Sequence, residues 1–401
     1  EAYEYITKHK SMHEERSDGI IFDEITSAYA QCSYYADAIN KIKAEERFKD
    51  KRVYCYVGTL HGSDHGRELV QALIDAGGAL VWERYLATRS SETTAREYLR
   101  QILVEEAVKY RERCPGSIDR LITLFTYFSM AGAHLNNSTP SVNYLTYFDM
   151  QFNIVANHPA FWGAYGLGGW GSSYADEENT RWFMHLMRHY GIEGRTESAT
   201  RDPYIAGHID NPDFTYGTEG WSLHPAEAGS IYPADQRGMG NLQGRKNRTE
   251  GSAVLVTKRS AERPNKFSQE ISNLEPGRLY SFQMFTGDRE SLRRLEMHGV
   301  SIQIENATLL RDKSYMYPAS NPPWGRYPPY NTNKSWAWMN YHYRVFRADG
   351  PTARLVISDW GCDAAWHARD VFDGTNAPIG PIGQEIMYNF ITIKPYFAGD
   401  Q

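Results

Sequence analysis

The first half of the chain switches repeatedly between two hydrophobic patterns. Short β-rich runs fall at 19–25 (GIIFDEI), 52–57 (RVYCYV), 79–85 (ALVWERY), 121–128 (LITLFTYF) and 161–167 (FWGAYGL). Between them, apolar positions recur at helical spacing over 34–47, 68–76, 92–113, 142–157 and 177–190. Alternation of this kind predicts parallel strands joined by right-handed helical crossovers. No glycine-rich phosphate loop follows any run, which favours a barrel over an open dinucleotide-binding sheet. Five runs fall short of the eight strands a closed barrel needs. Residues 1–205 are therefore expected to form the C-terminal part of a (β/α)8 barrel, strands four to eight. Residues 1–16 read as a helix already under way with no strand before it. The missing barrel strands are expected from upstream sequence or from another chain.

Near Asp202-Pro203 the pattern changes. Long amphipathic stretches stop, and short β-rich runs take over at 253–258, 266–271, 278–285, 300–304, 341–347, 353–358 and 385–396. Such runs, separated by Gly, Pro and Asn, predict a β-sandwich of jelly-roll type over residues 206–401. The span 315–335 is rich in Pro and Asn and reads as a long loop.

Composition narrows the classes. A net charge of −6 offers no basic face for nucleic acid or an anionic membrane. Apolar runs such as Ala79-Leu80-Val81-Trp82 are too short to cross a bilayer. The four cysteines lie far apart, without metal-ligand spacing. Aromatic content is the unusual feature: 28 Tyr, 16 Phe and 10 Trp make 13% of the chain. Flat rings with polar handles suit the C–H faces of sugars as well as cores.

In barrels of this type, chemistry belongs to the C-terminal strand ends. Asp23 and Glu24 end the first run, and strand alternation predicts that only one of them points into the barrel mouth. Glu83 ends the run two units later. Glycosidic hydrolysis needs one acid on the leaving oxygen and a carboxylate roughly 5–9 Å away as nucleophile or base. Carboxylates on nearby strands can meet that spacing. Further mouth candidates for sugar contact are His61, His65, Trp82, Tyr127, Tyr165 and Trp170. In the second half, Trp324, Trp336 and Trp338 lie in or beside the long loop. No cofactor is expected for catalysis. Asp213 is a candidate oxygen ligand for a structural Ca2+ in the sandwich.

The segments DGIIFDE, ALVWERYL, PSVNYLTYFDMQFNIVANHPAFWGAYG, YADEENTRWFMHLMRHYGIEG and NPDFTYGTEGWSL resemble a group of bacterial proteins built on a glycoside-hydrolase-like barrel. An acid ending strand four and another ending strand six is similar, more loosely, to the retaining α-galactosidase clan. That likeness implies a nucleophile at Asp23 or Glu24 and an acid/base at Glu83. The stretches around both positions depart from the clan, so stereochemistry stays open. Asn211-Pro212-Asp213-Phe214 with Gly220-Trp221, and the closing run 384–391, resemble jelly-roll carbohydrate-binding modules. These resemblances imply a secreted or periplasmic glycoside hydrolase acting on a poly- or oligosaccharide. The alternatives are a non-catalytic glycan-binding protein and an assembly protein using both halves as interaction surfaces.

Overall fold

The computed structural model describes residues 1–25, 30–130, 135–171, 174–246, 250–292, 300–321, 337–361 and 380–399. Trp324 and Trp336 lie outside the described residues.

Five strands, β1 (Gly19–Ile25), β2 (Arg52–Val57), β3 (Ala79–Arg84), β4 (Leu121–Thr126) and β5 (Gly166–Trp170), form one sheet in sequential order. Every pairing is parallel. Among the described residues the two outer strands, β1 and β5, each pair on one side only. Helices α1 (Ala2–Lys8), α2 (Gln31–Lys43), α3 (Asp64–Asp75), α4 (Glu92–Leu99), α5 (Glu106–Arg113), α6 (Tyr144–Asn157) and α7 (Glu177–Leu186) accompany the sheet. A π-helical stretch, Arg100–Glu105, joins α4 to α5.

Local chemistry sets the helix starts. Ser63 accepts the Gly66 N–H before α3, Ser91 and Thr94 form a reciprocal capping box on α4, and Asp176 accepts the Asn179 N–H on α7. Each cap satisfies an N–H that the helix itself leaves unpaired. Leu69, Val70 and Leu73 then bury one stripe of α3 in a core shared with Val53, Cys55, Leu80, Trp82 and Phe125 of the strands. That core defines the helix-covered face of the sheet.

The second half is a β-sandwich. Its strands are β6 (Ser222–His224), β7 (Ile231–Asp235), β8 (Ala253–Lys258), β9 (Lys266–Ile271), β10 (Leu279–Asp288), β11 (Ser301–Glu305), β12 (Ala307–Leu309), β13 (Tyr315–Asn321), β14 (Ala337–Ala348), β15 (Ala353–Ser358) and β16 (Glu385–Pro395). One sheet has seven strands in the order β12-β14-β10-β16-β8-β7, with β13 also paired to β14; the other has the order β11-β15-β9-β6. Phe214, Trp221, Phe267, Phe282, Leu355 and Tyr388 are among the residues of the core between the sheets. The start of the expected loop is instead strand β13, which runs antiparallel to β14. The expected strand at 161–167 is displaced to β5, because Pro159 opens a tight helical turn through Phe161.

The outer face of the seven-stranded sheet is not free. Met239, Val256, Phe285, Tyr341 and Phe390 pack there with Leu135 from the segment after β4. Beside them Lys394 makes a fully buried ion pair with Glu178 of α7 at 2.5 Å. The Tyr343 hydroxyl and the Phe397 N–H also donate to Glu178. Asp176 accepts the Gln283 side chain at 3.3 Å. The two halves are joined by apolar packing and by buried charge. No helix among the described residues is long and apolar enough to cross a membrane.

Candidate active site

Strand parity divides the parallel sheet. Phe22, Cys55, Trp82 and Phe125 face the helical core, so Glu83 and its in-phase neighbours face the other way. Toward the C-terminal end, that second face carries Asp23 on β1, Tyr56 on β2, Glu83 on β3 and Trp170 on β5.

The first acids sit on a bulge. Phe22 is level with Cys55 and Ile25 with Val57, leaving Asp23 and Glu24 together opposite Tyr56. Glu24 takes a left-handed backbone, φ 55°, a conformation that costs a non-glycine residue roughly 1–3 kcal/mol. A bulge re-aims side chains. Simple alternation, which would hide one of the pair, fails here: both side chains are exposed, and both bear electrostatically on Glu83.

Glu83 is half-buried at the end of β3. Its carboxyl accepts the Tyr85 hydroxyl at 3.4 Å and makes no ion pair among the described residues. Burial raises its pKa, and the negative charges of Asp23 and Glu24 raise it further. The Tyr85 hydrogen bond and Arg84 oppose them. Arg84 does not neutralise it by contact. Its guanidinium donates to the Glu83 and Ile102 carbonyls and stacks 4.1 Å over Trp82. Burial and the carboxylates push up Tyr56 and Tyr85 as well.

An aromatic wall stands beside the acids. Tyr85 meets Phe128 at 5.9 Å and Trp170 at 6.1 Å, and Phe128 meets Trp170 and Tyr174, each at 5.3 Å. Trp170 remains 47% exposed, leaving ring surface for a ligand. Gly171, at φ 121°, permits this packing, because a Cβ there would strike the Phe128 ring. From the second half, the Lys246 ammonium lies 4.5 Å from the Tyr85 ring centroid.

Several expected mouth residues lie elsewhere. Trp82 is fully buried on the helix side against Tyr110. Tyr127 is buried between Phe148 and Phe183, stacked on the latter at 4.5 Å. His61 is buried and bonded to Glu106 of α5 at 2.8 Å. His65 belongs to α3 instead of a loop, exposed beside Ser33 and Glu68. Tyr165 is exposed, but its N–H bonds Leu121 at the start of β4, the end opposite the acids. Trp338 is half-buried within β14. Asp213, the expected Ca2+ ligand, is ion-paired with Arg245. Its carboxylate is gripped by both terminal nitrogens of Arg245 and by the Phe390 N–H. Among the described residues no group of three His, Cys, Asp or Glu side chains could hold a metal.

No family model and no curated protein matches the chain. Solved structures do align. The enzymatically active domain of bacteriophage CBA120 tailspike protein 4 aligns at 9% identity and TM-score 0.27, over 47% of this chain and 21% of that one. TmCBM61 in complex with β-1,4-galactotriose aligns at 12% and 0.23, over 47% and 97%. The CBM22-1–GH10 modules of a Clostridium thermocellum xylanase, complexed with xylohexaose, align at 10% and 0.22, over 46% and 28%. At such identities and TM-scores these likenesses carry no weight, and function has to be read from the side chains.

Proposed function

We propose that this chain is a glycoside hydrolase acting on a poly- or oligosaccharide, with Glu83 as proton donor and Asp23 or Glu24 as the second carboxylate. One observation carries the reading: Glu83 is a half-buried carboxyl held toward its protonated form by burial and by the charges of Asp23 and Glu24 at the end of β1. Two sets of carboxyls in unlike environments are what a proton donor and its anionic partner require. Strands β1 and β3 are two spacings apart, about 9–10 Å between backbones. That is a span from which side chains can flank a glycosidic bond directly or through one water. Trp170 supplies an exposed ring for stacking beside them.

In this reading the parallel sheet is an arc of a (β/α)8 barrel, strands four to eight, whose remaining strands pair along β1. The setting is secreted or periplasmic, where polysaccharide is met. The exposed Trp170 also favours a second reading, a glycan-binding site without hydrolysis. A panel of neutral, acidic and sulfated oligosaccharides, incubated with the full chain and read by mass spectrometry, separates the two. Shortened products that vanish in Glu83→Gln support the hydrolase. Binding without cleavage by either protein supports the binder and removes the proposed chemistry.

A further inference from the structure

The carboxylate face belongs to the first half, yet its aromatic wall is touched by the second. Leu135, after β4, donates its N–H to the Gly244 carbonyl at 2.6 Å, and the Lys246 N–H returns a bond to Leu135 at 3.0 Å. These bonds form a short parallel bridge at Leu135 and Arg245. Arg245 locks the bridge in place. Its buried guanidinium grips Asp213, bonds Gln243 at 2.7 Å through Nε, and lies 4.6 Å over the Phe390 ring. A residue next to such an anchor has little freedom in where its Cα sits. Lys246 thus delivers its ammonium to the Tyr85 ring, and the Tyr85 hydroxyl donates to Glu83.

We propose that Lys246 is a positioning residue of the carboxylate site, acting through Tyr85 on Glu83, so that the site is complete only when the second half is docked. The inference rests on the reading of Glu83 as the working acid. An ammonium against the π face holds the ring by cation–π attraction. It also draws electron density from the phenol, making its hydroxyl a better donor to a carboxylate. Among the described residues, the charged and titratable groups that bear on Glu83 include Asp23 and Glu24 from β1 and Arg84 and Tyr85 from its own segment, and Glu83 in turn raises Tyr56 of β2. Lys246 brings an ammonium from the other half of the chain to the Tyr85 member of this set. Removing it withdraws a positive charge, so the Glu83 carboxylate becomes harder to form and its titration moves to higher pH.

The test follows the protonated carboxyl band of the full-length chain by infrared difference spectroscopy across a pH titration, with Glu83→Gln identifying the band. Lys246→Met is expected to raise the midpoint by about half a pH unit or more, the scale for a nearby charge, while Lys246→Arg stays close to wild type. In a Tyr85→Phe background, Lys246→Met should add little. Lys246→Gln provides the same readout should the methionine variant not fold. An unchanged midpoint without the ammonium overturns the role of Lys246. If Glu83→Gln removes no protonated-carboxyl band, the acid assignment itself is overturned, which keeps the two failures apart.

Discussion

Lys394→Met tests how the halves are held together. Lys394 and Glu178 are each 0% exposed in their side chains and lie 2.5 Å apart. Deleting the lysine leaves Glu178 with the Tyr343 hydroxyl at 2.7 Å and the Phe397 N–H at 2.8 Å, but without that countercharge. Removing one partner of a buried pair typically costs about 3–5 kcal/mol, because the remaining charge stays desolvated. The two surviving donors place the expected loss at the lower end, about 3 kcal/mol, or a melting shift of roughly 3–5 °C for a chain of 401 residues. Glu178→Gln combined with Lys394→Met removes both charges and should recover much of it, with a coupling of at least about 1.5 kcal/mol. Urea unfolding followed by tryptophan fluorescence, on the wild type, both single variants and the double variant, gives the cycle. A loss below about 1 kcal/mol for Lys394→Met, or additive single effects, would refute the buried junction.

Other outcomes follow from the site. Glu83→Gln should lower turnover at least about 10²-fold, the usual scale for an acid–base group, with little change in melting temperature. The Glu83 pKa is raised on folding, so its contribution to stability is present below the unfolded carboxylate range and is lost as pH rises through the folded value. Wild type should therefore lose stability relative to Glu83→Gln over that rise, as pH-dependent urea midpoints will show. A flat difference contradicts the raised pKa. Trp82→Ala should cost about 3–5 kcal/mol as a core truncation, whereas Trp170→Ala should cost under about 1 kcal/mol and weaken oligosaccharide binding by calorimetry.

Much of the scaffold was legible because periodicity reports burial directly. The expected strands at 19–25, 52–57, 253–258, 266–271 and 353–358 coincide with β1, β2, β8, β9 and β15. The last parallel strand escaped because its sequence, GLGGW, has little β propensity. Its glycines are there for space, since a Cβ on Gly169 would meet the Phe183 ring. Strand β13 was masked by Pro318, a residue more common in loops. Of the three expected acids, Asp23 and Glu24 both bear on Glu83, but only the bulge makes this possible, and a register shift leaves no mark in a single sequence. The burial of Trp82 on the helix side was legible as well. Trp82 is adjacent to Glu83 in a strand, so the two must face opposite ways. The same parity, two residues on, points to Tyr85, and Tyr56 on β2 could have been found alongside it. Lys246 could not, since its approach depends on how the halves dock.

The most direct test of the paired-acid account is a crystal structure of Glu83→Gln bound to an oligosaccharide that the wild type cleaves. The account expects the scissile oxygen within about 3 Å of residue 83, hydrogen-bond reach for a proton donor. The anomeric carbon should be turned toward Asp23 or Glu24 and one sugar ring laid on Trp170. A sugar bound with residue 83 and both β1 acids out of reach of the glycosidic bond would contradict it.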